Sequence, residues 1–284
     1  MLITRRSAVL GAALLPLASA TAGIQDGRIA AIEKRTGGRL GVAVLDTKSG
    51  RRIEHRAHER FALCSTFKFL LAAAVLARVD AGKERLDRFI AYGPNDLVVF
   101  SSVAEAHLGE GGMTLSALLE GVIERSDNTA ANLLLATLGG PKGWTRFARS
   151  LGDPVSRLDR IETELNSAIP GDPRDTTTPF AMLNDMKKIL LGRVLSGASH
   201  QKLKDWMMAS ATGARRLRAG LPADWRIGDK TGSGEHGARN DIAILWPPKR
   251  APILACVYFA ESNMPDDARE TAIADVARII AEAI

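Results

Sequence analysis

Ser65 and Lys68, a hydroxyl and an amine three residues apart in Cys64-Ser65-Thr66-Phe67-Lys68, stand at the head of a long apolar run. Residues three apart share a helix face, so the Lys68 amine can reach the Ser65 hydroxyl. A serine hydroxyl is a weak nucleophile until a nearby base or cation eases its deprotonation. The run from Phe67 to Val79 is apolar nearly all round, the pattern of a buried helix, where an unpartnered ammonium is costly. Taken alone, the same letters also describe a helix cap followed by a surface lysine. Two more groupings add to the chemistry. Ser126-Asp127-Asn128 lies between the apolar segments 115–123 and 130–138, hence in a turn between helices. Lys230-Thr231-Gly232-Ser233-Gly234 ends a strand-like segment, and its glycines allow close approach to the backbone.

Each grouping is ordinary by itself, since Ser, Asp and Asn are common turn and cap residues. In this order they form the motif set of class A β-lactamases and penicillin-binding proteins. The chain resembles class A β-lactamases through essentially its whole mature length. The resemblance includes Arg160-Ile161-Glu162-Thr163-Glu164-Leu165-Asn166 and the stretch from Pro170 to Pro179. It implies an α+β fold: a five-stranded antiparallel sheet flanked by helices, with an inserted all-helical lobe and the site in the cleft between them. The implied reaction is attack of Ser65 on a β-lactam carbonyl, followed by hydrolysis of the acyl-enzyme.

Roles carry over by resemblance. Ser65 is the nucleophile, Lys68 and Ser126 move or steady protons, and Lys230 keeps the surroundings positive. The oxyanion donors are the N–H groups of Ser65 and Ser233. Asn128 orients Lys68 and holds the substrate's amide side chain. Glu162 and Asn166, four apart, would flank one water, with the carboxylate taking its proton. The base of the first step is either Lys68 or Glu162 through water. Lys230, Thr231, Ser233 and Arg239 are candidate partners for the substrate carboxylate; the alternative for Arg239 is a solvated strand charge. Phe100 is either an aromatic wall of the site or core packing. Thr163 departs from the proline that many relatives carry after the glutamate. Arg160 and Asp175 would pin the base of an omega loop spanning 152–179.

The elements that must position these groups follow from pattern. A helix over 24–36 precedes strands 39–46 and 51–56, joined by a turn at 47–50, with Leu40, Val42 and Val44 alternating. The middle is mostly helical in pattern. Strands return over 226–231, 238–246 and 253–260, and Pro265-Asp266-Asp267 opens a last helix. Strands at both ends predict one antiparallel sheet built from both termini, with 21–60 and 207–284 forming an α/β lobe and 61–206 a helical lobe.

The 284 residues are 46% hydrophobic and 25% charged, an ordinary globular composition. Residues 1–20 read as a signal peptide: Arg5-Arg6, a short apolar middle, then Ala18-Ser19-Ala20. Thr4-Arg5-Arg6-Ser7 fits a twin-arginine signal or a general secretory one. Both readings send the chain to the periplasm or outside the cell. Loss of Arg5 and Arg6 takes the net charge from +6 to +4. Without a clustered basic run, nucleic acid is not expected as a partner. A monomer with no membrane attachment after cleavage and no cofactor is expected. The five histidines show no metallo-hydrolase spacing. Cys64 and Cys256 are expected to be buried and free. Some carbapenem-hydrolysing relatives pair the cysteine before the nucleophile with a position that is Gly234 here. The rivals are a cell-wall peptidase, which leaves Glu162 and Asn166 unexplained, and a β-lactam sensor, which needs a membrane-coupled segment.

Overall fold

The computed structural model describes residues 27–284, so the expected signal peptide lies outside the described residues. The chain opens with α1 (Gly27–Thr36), β1 (Arg39–Asp46) and β2 (Arg52–His55), then runs through α2 (Phe67–Asp80), α3 (Leu115–Glu124), α4 (Asn128–Leu138) and α5 (Pro141–Ser150). It continues with α6 (Pro179–Leu191) and α7 (Gly197–Met208), and closes with β3 (Arg226–Ser233), β4 (Arg239–Trp246), β5 (Ile253–Ala260) and α8 (Asp266–Ala283). The five strands form one antiparallel sheet in the order β2-β1-β5-β4-β3. The first strand of the chain therefore pairs with the last, as the pattern at the two ends predicts.

All eight residues of β5 are buried, because both faces of the sheet are covered. Side chains alternate across a strand. Ile253, Ala255, Val257 and Phe259 join α1 and α8 in one core, with Ile273, Val276 and Ile280. Leu254, Cys256 and Tyr258 join the larger core on the other face, which contains α2. In α2 every side chain from Phe67 to Leu76 is buried, Lys68 included. The Trp144 indole donates to the Phe67 carbonyl at 3.0 Å, tying α5 to the first turn of that helix.

Several details differ from expectation. Ser65 lies in a 3-10 turn, Cys64–Thr66, that leads into α2 rather than in the α-helix itself. The third strand runs two residues past Thr231, because Ser233 pairs with Arg239 across the hairpin. Two small ribbons interrupt the helical middle: Phe61–Ala62 pairs with Thr176–Thr177, and Phe89–Ala91 with Gly112–Thr114. The glycines after Lys230 serve packing. A Cβ on Gly232 would meet the Leu63 carbonyl oxygen at 3.0 Å, and one on Gly234 would meet the Asn166 oxygen at 2.6 Å and Cys64 Sγ at 2.7 Å. The close approach is made by the protein's own backbone, which brings β3 against the Ser65 turn.

Candidate active site

Three elements converge on Ser65. The 3-10 turn presents its hydroxyl, and α2 presents the Lys68 amine, which donates to Ser65 Oγ at 3.0 Å. The same amine donates to the Ser126 carbonyl at 2.7 Å and to Asn128 Oδ1 at 2.6 Å, and forms an ion pair with Glu162 Oε1 at 2.9 Å. Both members of that pair have wholly buried side chains. Burial pulls the Lys68 amine below its ordinary pKa, while the Glu162 charge works against that shift. From the sheet, the Lys230 amine donates to Ser126 Oγ at 2.9 Å. Burial, and then the like charge of Lys68, hold Lys230 well below its ordinary value. The expected free thiols are present: Cys64 and Cys256 are both buried and unpaired. Burial, followed by the Glu162 charge, pushes the Cys64 thiol up to about 12, so it stays protonated beside the hydroxyl.

The Ser126-Asp127-Asn128 turn is built by its middle residue. Asp127 Oδ1 caps α4 by accepting from the Ala130 N–H at 2.9 Å. Its Oδ2 accepts from the N–H groups of Val103 and Ala104 at 2.9 and 3.0 Å. One carboxylate thus holds both the turn and the segment carrying Phe100. Ser126 and Phe100 have φ of +60° and +62°. Such non-glycine conformations cost about 1–3 kcal/mol each and persist only where surroundings impose them.

The loop after Gly152 delivers Glu162. Asn166 Nδ2 donates to Glu162 Oε2 at 2.5 Å, and the Ser65 hydroxyl donates to Glu162 Oε1 at 3.4 Å. The carboxylate therefore bridges the hydroxyl and the amide. The Glu162–Thr163 peptide is cis. Asn132, which the sequence analysis passed over, clamps the Glu162 backbone: its Oδ1 accepts from the Glu162 N–H and its Nδ2 donates to the Glu162 carbonyl, both at 2.9 Å. The loop base is closed by Arg160, whose Nε donates to Asp175 Oδ2 at 2.6 Å. Asp175 Oδ1 accepts two further N–H groups, from Asp159 at 2.7 Å and Arg160 at 2.9 Å. Replacing Asp175 by Asn strands a largely buried guanidinium. The expected loss is about 3 kcal/mol of stability, read as a lower urea midpoint together with lower turnover; an unchanged midpoint refutes the pinning role.

These groups line or lie behind one cleft of about 580 Å³. Ser65, Phe100, Ser126, Asn128, Asn166, Thr231, Ser233 and Arg239 line it, while Lys68, Lys230 and Glu162 are buried beneath. Phe100 is 84% exposed at the rim, which excludes core packing. Arg239 lines the cleft but is engaged at its edge, pairing with Asp266 at 2.5 Å and donating to the Ala238 carbonyl at 2.8 Å. A second arginine was not singled out from the sequence. Arg216 is buried, donates to Ser233 Oγ at 2.7 Å and to the carbonyls of Gly232 and Asn240 at 2.8 and 2.7 Å, and lines the same cleft. No local signal marks it, because it precedes a short helical turn far from any motif. A nucleophilic hydroxyl between an amine and a carboxylate, in a cleft rich in cations, can be acylated by an anionic substrate and then relieved by water.

Residues 26–284 match the family described as the beta-lactamase enzyme family. β-Lactamase CTX-M-6 of Salmonella typhimurium is 46% identical, covering 97% of each chain. β-Lactamase OXY-1 of Klebsiella oxytoca is 44% identical over 99% of this chain and 98% of its own. Among solved structures, an ancestral (GNCA) class A β-lactamase superposes with a TM-score of 0.90 at 63% identity, covering 91% of this chain and 99% of that one.

Proposed function

The chain belongs to the class A β-lactamases, serine hydrolases that open the β-lactam ring of penicillins and cephalosporins and so confer resistance, and we propose that Ser65 is its nucleophile and Glu162 the base that frees it. The observation carrying this reading is the Glu162 carboxylate, bonded on one oxygen to the Ser65 hydroxyl and on the other to the Asn166 amide. A water held between these groups would lie against an acyl carbonyl on Ser65, with the carboxylate ready to take its proton.

In the first step Ser65 Oγ attacks the ring carbonyl, and its proton passes to the amine or carboxylate beside it. The developing oxyanion is met by the N–H groups of Ser65 and Ser233; each such donor contributes roughly 3–4 kcal/mol to the transition state. As the ring C–N bond breaks, Ser126 delivers its proton to the nitrogen and is reprotonated through Lys68, which recovers the proton that Ser65 released; Lys68 and Lys230 both bond the Ser126 oxygen. Asn128 holds Lys68 and faces the acylamide side chain. In the second step water attacks the ester, Glu162 takes the water's proton, and Ser65 leaves as the hydroxyl.

Lys230, Thr231, Ser233 and Arg239 form the carboxylate end of the cleft, Phe100 its aromatic rim, and Arg216 adds a guanidinium behind Ser233. A charge-assisted hydrogen bond contributes about 1.5–3 kcal/mol. Arg216→Ala is therefore expected to lower kcat/KM for carboxylate-bearing β-lactams about 10- to 100-fold, mainly through KM. Unchanged KM for such substrates removes Arg216 from binding.

The reading includes export, with residues 1–20 removed, and action as a monomer, with 21–60 and 207–284 as one lobe and 61–206 as the other. No helix among the described residues is long and apolar enough to cross a membrane. Turnover of a chromogenic cephalosporin decides between readings. Many turnovers per enzyme are expected; one stoichiometric burst points instead to a peptidase or a sensor.

A further inference from the structure

Beneath the loop that carries Glu162 lies a second group of titratable residues outside the cleft. Asp185, on α6, is 1% exposed, and neither of its carboxyl oxygens has a hydrogen-bond partner among the described residues. The neighbouring carboxyl is that of Asp153, itself 5% exposed and lining the same cavity as Asp185. Two ionised carboxylates are acceptors only, so neither could satisfy the other. A carboxylic acid can donate, and one proton removes both the orphaned oxygens and the buried like-charge contact.

We propose that Asp185 and Asp153 share one proton, with Asp185 as the neutral acid, making a buried proton-binding site under the base of the Glu162 loop.

The surroundings favour a proton over a metal cation. Asp153 Oδ1 already accepts from the N–H groups of Val155 and Ser156 at 2.7 and 3.1 Å. The cations nearby bond carbonyls rather than either carboxylate: Lys188, on α6, donates to the Leu151 carbonyl, and Arg149, on α5, donates to the Asp153 and Ser156 carbonyls at 2.5 and 2.7 Å. Their charges oppose the rise of the Asp185 carboxyl without overcoming burial and Asp153. From the β2 side, Arg60 donates to the Val155 carbonyl at 3.0 Å and His58 stacks on Phe180 at 4.5 Å. On the sheet side, the Cys256 thiol contacts Met186 and the Tyr258 phenol bonds Thr66, and burial holds both neutral. Burial first, then the Asp153 charge, push the Asp185 carboxyl up to about 9. The site reaches the loop directly, because its two stems meet there: Ser156 Oγ bonds Thr177 Oγ1 at 2.6 Å, and the Arg157 N–H donates to the Thr176 carbonyl at 3.0 Å.

The sign of the pH effect follows from where the proton sits. Unfolded, Asp185 ionises at its ordinary 3.8; folded, it holds its proton to about 9. Between these values the native state carries one extra proton, so stability falls as pH rises through that window and levels off above it. The limit is about tenfold in the folding equilibrium per pH unit. Asp185→Asn keeps a donor toward Asp153 and needs no proton. In urea unfolding from pH 5 to pH 8, the folding equilibrium of the Asn variant should gain on wild type with each pH unit, approaching that limit. A gain that does not change with pH overturns the proposal. Should Asp185→Asn not fold, Asp185→Thr supplies a smaller donor for the same series. Carboxyl-carbon NMR of aspartate-labelled wild type at pH 7 should then show a protonated-acid signal that Asp185→Thr lacks; identical spectra overturn it too.

Discussion

Ser65→Ala is expected to abolish covalent capture: after incubation with a penicillin, intact mass should show only the unmodified protein. Turnover falls by about 10⁶-fold, the scale seen when a serine hydrolase loses its nucleophile. The size of the effect follows from the surroundings. No other hydroxyl replaces this one, because Ser126 is held by Lys230 at 2.9 Å and Cys64 is a buried thiol pushed up to about 12. The variant should keep its fold. Lys68 loses one acceptor but retains the Ser126 carbonyl, Asn128 Oδ1 and Glu162. The cleft should still bind substrate without reacting, so a persistent adduct on this variant would refute the assignment of Ser65.

Glu162→Gln has the opposite signature: the adduct accumulates. Lys68 Nζ lies 3.0 Å from Ser65 Oγ, so acylation is expected to continue. The amide cannot take a proton from water, and loss of a positioned general base slows a step by about 10²–10⁴-fold. A chromogenic cephalosporin should then give a stoichiometric burst followed by slow turnover, with the acyl-enzyme visible by mass. Glu162 raises the Lys68 pKa against burial. Removing its charge should therefore lower that pKa further and carry any acylation limb that reports Lys68 to lower pH. Undiminished steady-state turnover would remove Glu162 from the second step.

The two variants divide the reaction because Glu162 touches both ends of it. Its ion pair with Lys68 belongs to the resting site, and its contact with Asn166 lies where the proposed reaction would bring water. A buried pair of this kind is weak evidence for stability, since desolvation offsets much of the attraction. Its retention in a fully buried setting is better explained by chemistry.

Much of this architecture is legible in the residue order. The alternation of Leu40, Val42 and Val44, and the unbroken apolar stretch of β5, specify strands and the faces they bury. The apolar surround of Lys68 specifies a buried helix. The spacing of Ser65 to Lys68 brings that pair together at 3.0 Å, whereas Glu162 and Asn166 meet at 2.5 Å across a cis peptide and a short 3-10 turn, with Asn132 holding the Glu162 backbone. The strand and helix features are local. Periods of two and 3.6 residues decide which side chains of a regular strand or helix share a face.

Other features depended on chain closure. Lys230 meets Ser126 across a separation of 104 residues. Asn132 clamps the Glu162 backbone from α4, Arg216 comes up behind Ser233, and Arg239 turns to Asp266 at the edge of the cleft. Asp185 and Asp153 come to line one cavity only when α6 folds under the loop. Each of these residues is unremarkable among its sequence neighbours. Its role comes from a partner on another element, and a polar side chain taken out of water must find one or lose its charge. That choice is made by the packing of whole elements, so it belongs to the tertiary structure alone.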